Sequence, residues 1–181
     1  MALETEVKVR IRREDLDSIR ARLTELGASC VEGRKKEENW LFDFPDQDLQ
    51  TAGCALRLRV YGEKTFLTFK GKIQSDPRFK RREELESRVD HPDQIKSILQ
   101  HLGMSVRCKY SKFREIYQLP VNQAQVEVCL DETPVGTFAE IEGPAAEIEN
   151  LAVLLGWTPD SFIRRNYLEM YEEAGQLAEA G

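Results

Sequence analysis

Long apolar runs, clustered cysteines, histidines and an excess of base are all scarce in this chain of 181 residues. No window approaches the ~18 consecutive apolar residues of a membrane-spanning helix. The first residues also lack the apolar stretch of a secretory leader. A soluble, cytoplasmic protein with no membrane partner is therefore expected. Cys30, Cys54, Cys108 and Cys129 are widely spaced and form no CxxC pair, which favours reduced, buried thiols over disulfides or a zinc site. Twenty-six Lys and Arg against 32 Asp and Glu leave a formal charge of −6. That balance argues against general binding to nucleic acid or anionic membrane and leaves room only for a local basic cluster. The two histidines, His91 and His101, fall at a predicted helix, so neither is assigned as a catalytic base. No linker or low-complexity tract interrupts the chain, and residues 1–181 read as one domain.

What the chain has in quantity is charge, at 32% of residues against roughly 25% in ordinary globular proteins. Loops alone cannot hold so much, so many charges must lie on strands and helices. "ETEVKVRIR", residues 4–12, shows how. As a strand it sends Glu4, Glu6, Lys8, Arg10 and Arg12 to one face and Thr5, Val7, Val9 and Ile11 to the other. Later segments repeat the pattern. Arg57 and Arg59 share a face, Lys70 opposes Leu67 and Phe69, and Arg82, Glu84 and Glu86 are in phase. So are Lys112 with Arg114, Glu127 with Asp131, and Glu140 with Glu142 around Ile141.

Between these strands, "REDLDSIRARLTELGA" carries Leu16, Ile19, Leu23 and Leu26 on one stripe and stops at Gly27. "DHPDQIKSILQHLGM" has Asp90 as a cap candidate, apolar Ile95, Ile98 and Leu102, and a stop at Gly103. "GPAAEIENLAVLLGW" is a third helix ending at Gly156, and a fourth is predicted over roughly 159–176. Strands and helices lack a regular βαβ rhythm, which gives an α+β fold with a mostly antiparallel sheet and two similar halves.

Two arrangements satisfy the strand pattern. One is a sheet with a single wet face on which both signs of charge are solvated. The other is a barrel with charges inside and helices outside, tolerable only if acids and bases neutralise each other or a charged ligand and metals. In the second, carboxylates at ExE spacing present hard oxygen donors suited to Mg²⁺ or Mn²⁺. RxR and KxR spacing presents cations suited to phosphate. Both sets together suit a polyphosphate.

The ordered set "ETEVK", "LRLR", "LTFKG", "RREELE", "KFRE", "VEVCLDETPVGTFAEIEG" and "RRNYLEMY" resembles the CYTH family, the triphosphate tunnel metalloenzymes, over roughly residues 3–172. The resemblance implies an eight-stranded antiparallel β-tunnel with a charged interior and helices packed outside. It implies Lys8, Glu4 and Glu6 as catalytic candidates. Glu4, Glu6, Glu127, Asp131, Glu140 and Glu142 would be metal carboxylates for Mg²⁺ or Mn²⁺. Lys8, Arg57, Arg59, Lys70, Arg82, Lys112, Arg114 and Arg165 would hold the triphosphate. Glu84 and Glu86 accompany Arg82 as a further charged strand, and "RNY" stands where many members have Lys-Ser-Tyr. Trp40 and Phe42 lie where thiamine triphosphatases place a functional tyrosine, which argues against that substrate and makes Trp40 a core residue before a stacking platform. "SDPRFKRRE" reads as a solvated basic loop beside one tunnel mouth.

The resulting expectation is a metal-dependent phosphohydrolase acting on tripolyphosphate, ATP or a similar small triphosphate, as monomer or homodimer. The alternative is a class IV adenylyl cyclase, which shares the grip and metals but attacks the α-phosphorus. A non-catalytic polyphosphate binder would lack metal carboxylates, and none is missing. A nucleic-acid partner is disfavoured because aromatics do not interleave with the charged faces.

Overall fold

The computed structural model describes residues 3–76, 78–121 and 124–176. In chain order the elements are β1 (Leu3–Ile11), α1 (Leu16–Glu25), β2 (Ser29–Asp43), α2 (Asp48–Thr51), β3 (Ala55–Tyr61), β4 (Lys64–Lys70) and β5 (Lys80–Arg88). There follow α3 (Pro92–His101), β6 (Ser105–Val121), β7 (Ala124–Thr133), β8 (Gly136–Glu142), α4 (Ala145–Leu154), β9 (Phe162–Ile163) and α5 (Tyr167–Glu173). The sheet order β5-β4-β3-β2-β6-β7-β8-β1 closes on itself through antiparallel pairing of β1 with β5, from Leu3↔Glu83 to Glu6↔Lys80. This is the closed eight-stranded antiparallel barrel of an α+β fold, with five helices outside. Where β5 leaves β1, the short β9 takes over its edge through Lys8↔Ile163 and Val9↔Phe162. No helix of the described residues is long and apolar enough to cross a membrane.

The strand alternation produces the two surfaces. Outward-facing Val7, Val9, Val126, Val128 and Ile141 are buried under Leu16, Ile19 and Leu23 of α1 and Ile148 and Leu151 of α4. On the other side Leu58 and Phe42 pack with Leu99 of α3 and Met104. A third cluster meets the tunnel itself. Phe138 has the parity of Glu140 and Glu142, and packs with Tyr167, Met170 and Tyr171 of α5. The Leu-Gly stops hold: Gly27 and Gly103 both have φ +88°, the left-handed turn that ends α1 and α3 and that a Cβ disfavours.

Several expectations need correction. The predicted fourth helix is broken into a 3₁₀ turn at Pro159–Ser161, the extended β9, and α5. Pairing with β1 requires extended backbone at 162–163. The helix restarts only at Asn166, whose side chain accepts from the Glu169 N–H while Glu169 caps in return. On α3 the N-cap is His91, without a side-chain bond, not Asp90. Leu99 takes the buried place there, leaving Ile98 and Leu102 of the expected stripe exposed. The longest omission is β2. Its charged run "GRKKEEN" does not alternate by polarity, yet β6 pairs one edge of it from Lys35 and β3 pairs the other from Glu37. All four cysteines are free thiols.

Candidate active site

The barrel encloses a cavity of about 580 Å³ lined from all parts of its wall, from Glu4, Glu6 and Lys8 on β1 to Glu140 and Glu142 on β8. Its ionic groups form a chain of alternating sign. Lys8 meets Glu140 at 3.3 Å, Glu140 bonds Arg114, and Arg114 faces Glu37 at 3.9 Å. Glu37 faces Arg59 at 3.8 Å, Arg59 bonds Glu86 at 2.8 Å, and Glu86 lies 3.7 Å from Arg57. Arg57 lies 3.7 Å from Glu84, Glu84 bonds Lys70, and Lys70 reaches Glu4 at 3.7 Å, with Arg82 equally far from Glu4. Lys80 and Glu6 pair separately at 2.5 Å. Such a density of ions is tolerable in a protein interior because every step meets opposite charge.

The links are not equally tight. Asp131 is fully buried, and both its oxygens are filled. Arg114 Nε donates to Oδ1 at 2.7 Å, while Arg114 Nη2, Lys112 Nζ and the Tyr167 hydroxyl donate to Oδ2 at 2.6, 2.8 and 2.7 Å. The Tyr167 ring also carries Lys8 Nζ at 3.8 Å and Lys112 Nζ at 4.3 Å over it. Burial and then Asp131 and Glu140 hold the Tyr167 phenol well above its ordinary value, so it stays a donor. Burial alone would raise Glu140, but Arg114, Lys8 and Lys112 outweigh it and keep the carboxylate well below the usual range.

Elsewhere polar groups are underfilled. Among the described residues Arg57 and Arg82 donate no hydrogen bond, and the Nε atoms of Arg57, Arg59 and Arg82 are buried without an acceptor. Glu142 has Glu6 as its cross-strand partner on β1 and Glu127 on β7, a row of three acids. Desolvation in the tunnel, then Glu127, Glu6 and Glu84, push Glu142 up to about 7. Glu4 is pushed up to about 9 by burial and by sharing a proton with Glu84. For Glu6, burial is outweighed by Lys80, Lys70 and Arg82, and the group falls to about 2. Burial, then Arg57 and Arg82, lower Lys70 to about 8.

These donors suit Mg²⁺ or Mn²⁺ in kind, since they are hard carboxylate oxygens whose crowding a divalent cation would relieve. Among the described residues no three carboxylate, imidazole or thiol donors are already gathered to metal-binding distance. On the strands of the cavity wall, Glu127 and Glu142 have no cation at ion-pair distance among the described residues. Among the described residues Glu127 accepts only from the Cys129 thiol, at 3.6 Å.

The structure thus brings Glu4, Glu6, Lys8, Arg57, Arg59, Lys70, Arg82, Lys112, Arg114, Glu127, Glu140 and Glu142 around one cavity, with Glu84 and Glu86. Asp131 stands behind it as a counter-ion. Arg165 lies apart from this lining. Its guanidinium turns out to Glu173, and only its carbonyl reaches the tunnel group, accepting from Lys8 Nζ at 3.0 Å. Trp40 packs outside the barrel with the α3 cluster, flanked by Lys96 and Lys109, which fits its reading as core. The basic loop is tied down by Asp76, which accepts from the Arg78 and Phe79 N–H groups, and by an Arg78–Glu149 bond; Pro77 lies outside the described residues. Sequence reading missed Glu37, Asn39, Lys80 and Tyr167. Glu37 and Asn39 were hidden in the charged run of β2. Tyr167 had a usable signal, the Asn-x-x-Glu cap that starts α5.

Comparison with known proteins agrees with the tunnel. A protein of Methanocaldococcus jannaschii named as a candidate adenylate cyclase is 29% identical over 179 residues, covering 93% of this chain and 98% of that one. A solved structure from Pyrococcus horikoshii superposes with a TM-score of 0.73 at 28% identity, over 92% of this chain and 98% of the other. A Hippeastrum protein, described as a candidate adenylyl cyclase with a dominant triphosphatase activity, has the same fold at a TM-score of 0.70 and 16% identity, over 96% of both chains. The CYTH domain profile matches residues 2–155, and with the closed barrel this makes the chain a member of the CYTH domain family.

Proposed function

We propose that this protein is a divalent-metal-dependent hydrolase that cleaves an inorganic or nucleoside triphosphate inside the barrel. The observation that carries the reading is a contrast within one cavity among the described residues: Arg57 and Arg82 with a buried Nε that has no acceptor, beside Glu127 and Glu142 without a cation at ion-pair distance. A polyanion and a metal would complete both sets.

Arg57, Arg59, Lys70 and Arg82 take the phosphate oxygens, Arg57 and Arg82 first because their donors are free. Lys8, held between Glu140, Tyr167 and the Arg165 carbonyl, is fixed to stabilise charge on the departing phosphate. Glu6, Glu127 and Glu142 would hold the metal, with Glu4 alongside. Asp131 and Glu140 keep Lys112 and Arg114 in place. When bound, the divalent ion supplies charge neutralisation at the reacting phosphorus. The enclosed wall limits bulk water, so that a single positioned water attacks in line.

The name of the Methanocaldococcus relative favours a second reading, cyclisation of ATP. One assay separates them. The purified protein is offered tripolyphosphate and ATP with Mg²⁺ or Mn²⁺ and the products are resolved. Orthophosphate release is expected. Cyclic AMP with pyrophosphate would establish the cyclase reading, and neither product under any condition would overturn both.

A further inference from the structure

Glu37 lies on β2 with none of its surface exposed, a position with no part in the reading above. Oε1 accepts from Asn39 Nδ2 at 3.0 Å, and Oε2 has no hydrogen-bond donor. Three cations surround it at ion-pair distances: Lys112 at 3.5 Å, Arg59 at 3.8 Å and Arg114 at 3.9 Å. A carboxylate that needed only burial would sit in hydrogen-bond contact, as Asp131 does with Arg114 and Lys112. Glu37 instead stands back from all three, wholly buried behind cations that themselves line the cavity.

Its position along the ionic chain gives this meaning. Arg57 and Arg82 have free donors, and Arg59 joins Arg57 through Glu86. A phosphate chain seated on these groups has Lys112 and Arg114 as the next cations beyond Arg59. Glu37 is the carboxylate between Arg59 and those two. Resting on the triphosphate reading above, we propose that Glu37 is a specificity-determining residue that, from behind the cavity wall, offsets the charge of Arg59, Lys112 and Arg114 and thereby ends the binding track, so that the tunnel accepts a triphosphate and gains nothing from a longer linear chain. In a site of low dielectric that negative charge offsets the attraction of the three cations for a further phosphate, and pairing on both edges at Glu37 holds its backbone in place.

The test is calorimetric titration, in a chelator so that nothing is turned over, of pyrophosphate, tripolyphosphate and linear tetrapolyphosphate into the wild type and Glu37→Gln. The amide keeps the oxygen that accepts from Asn39 and removes the charge. In the wild type, affinity should rise from pyrophosphate to tripolyphosphate and then level off. In Glu37→Gln, tetrapolyphosphate should bind about tenfold more tightly than tripolyphosphate, one extra charged contact. An unchanged chain-length preference in the variant, or a wild type that already gains from the fourth phosphate, overturns the proposal. A wild type that binds none of the three overturns the triphosphate reading itself. If Glu37→Gln does not fold alone, its melting is followed with each chain. Rescue by tetrapolyphosphate beyond that by sulfate at matched ionic strength supports the proposal, and equal rescue overturns it.

Discussion

Asp131 and Glu127 lie on one strand, have the same parity and carry the same charge, yet Glu127 lines the tunnel, Asp131 stands behind its wall, and they do different work. Asp131 is closed off: four donors from Arg114, Lys112 and Tyr167 fill its two oxygens. Glu127 is open, with a thiol as its only donor among the described residues and Glu142 as its cross-strand neighbour. The difference is one of supply. Cations from β6 reach the Asp131 corner but not the row Glu6, Glu142 and Glu127, where acids from β1, β8 and β7 stand side by side. A saturated ion pair holds the barrel in shape, whereas an unsaturated one is a place for something else to bind.

The comparison can be broken most directly at its saturated end. Asp131→Asn leaves Arg114 and Lys112 buried beside a neutral amide, and should lower stability by about 3–5 kcal/mol. Urea unfolding measures this, and a loss as small as that of Glu127→Gln would erase the distinction. Tyr167→Phe removes one charge-assisted hydrogen bond from the same corner and should lower stability by about 1.5–3 kcal/mol. Because Lys8 and Lys112 keep the ring, the loss should stay below that of Asp131→Asn.

The unsaturated end should respond to pH with a smaller effect. Glu142 rises from an ordinary 4.5 to about 7 in the folded protein, first through desolvation and then through Glu127 and Glu6. The folded state therefore holds this proton more tightly than the unfolded chain does. Its contribution is fully present below 4.5 and is lost as pH rises through about 7. In chelator, wild-type melting temperature should fall across this window, Glu142→Gln should flatten the fall, and Mg²⁺ should raise the wild-type curve more at the alkaline end than at the acid end. A variant whose curve parallels the wild type would contradict the assignment of crowding to Glu142.

Much of this was legible in the sequence wherever polarity alternates. Glu4, Glu6 and Lys8 against Val7 and Val9, or Arg57 and Arg59 against Leu58, announce two-faced strands, and the three Leu-Gly helix ends fall where expected. The sequence pattern alone left open whether the charged faces look inward, because alternation is the same for an open sheet and a barrel. Closure depends on β1 meeting β5, a contact between distant segments. The run Lys35 to Glu38 has no polarity rhythm, so β2 and with it Glu37 could not be seen. Arg165 lies apart from the lining for a local reason. Strand β9 and the Asn166 cap fix the backbone so that its carbonyl, and not its guanidinium, faces Lys8.

The central claim is that the enclosed charges form a triphosphate grip centred on donors without partners. It is tested most directly by titrating tripolyphosphate into wild type and Arg57→Gln, with urea unfolding run in parallel. Arg57 touches Glu84 and Glu86 only at 3.7 Å. The account therefore predicts about a hundredfold loss of affinity with an almost unchanged unfolding midpoint. Equal affinity in the two proteins, or a variant that loses its fold while its residual folded fraction binds normally, would contradict it.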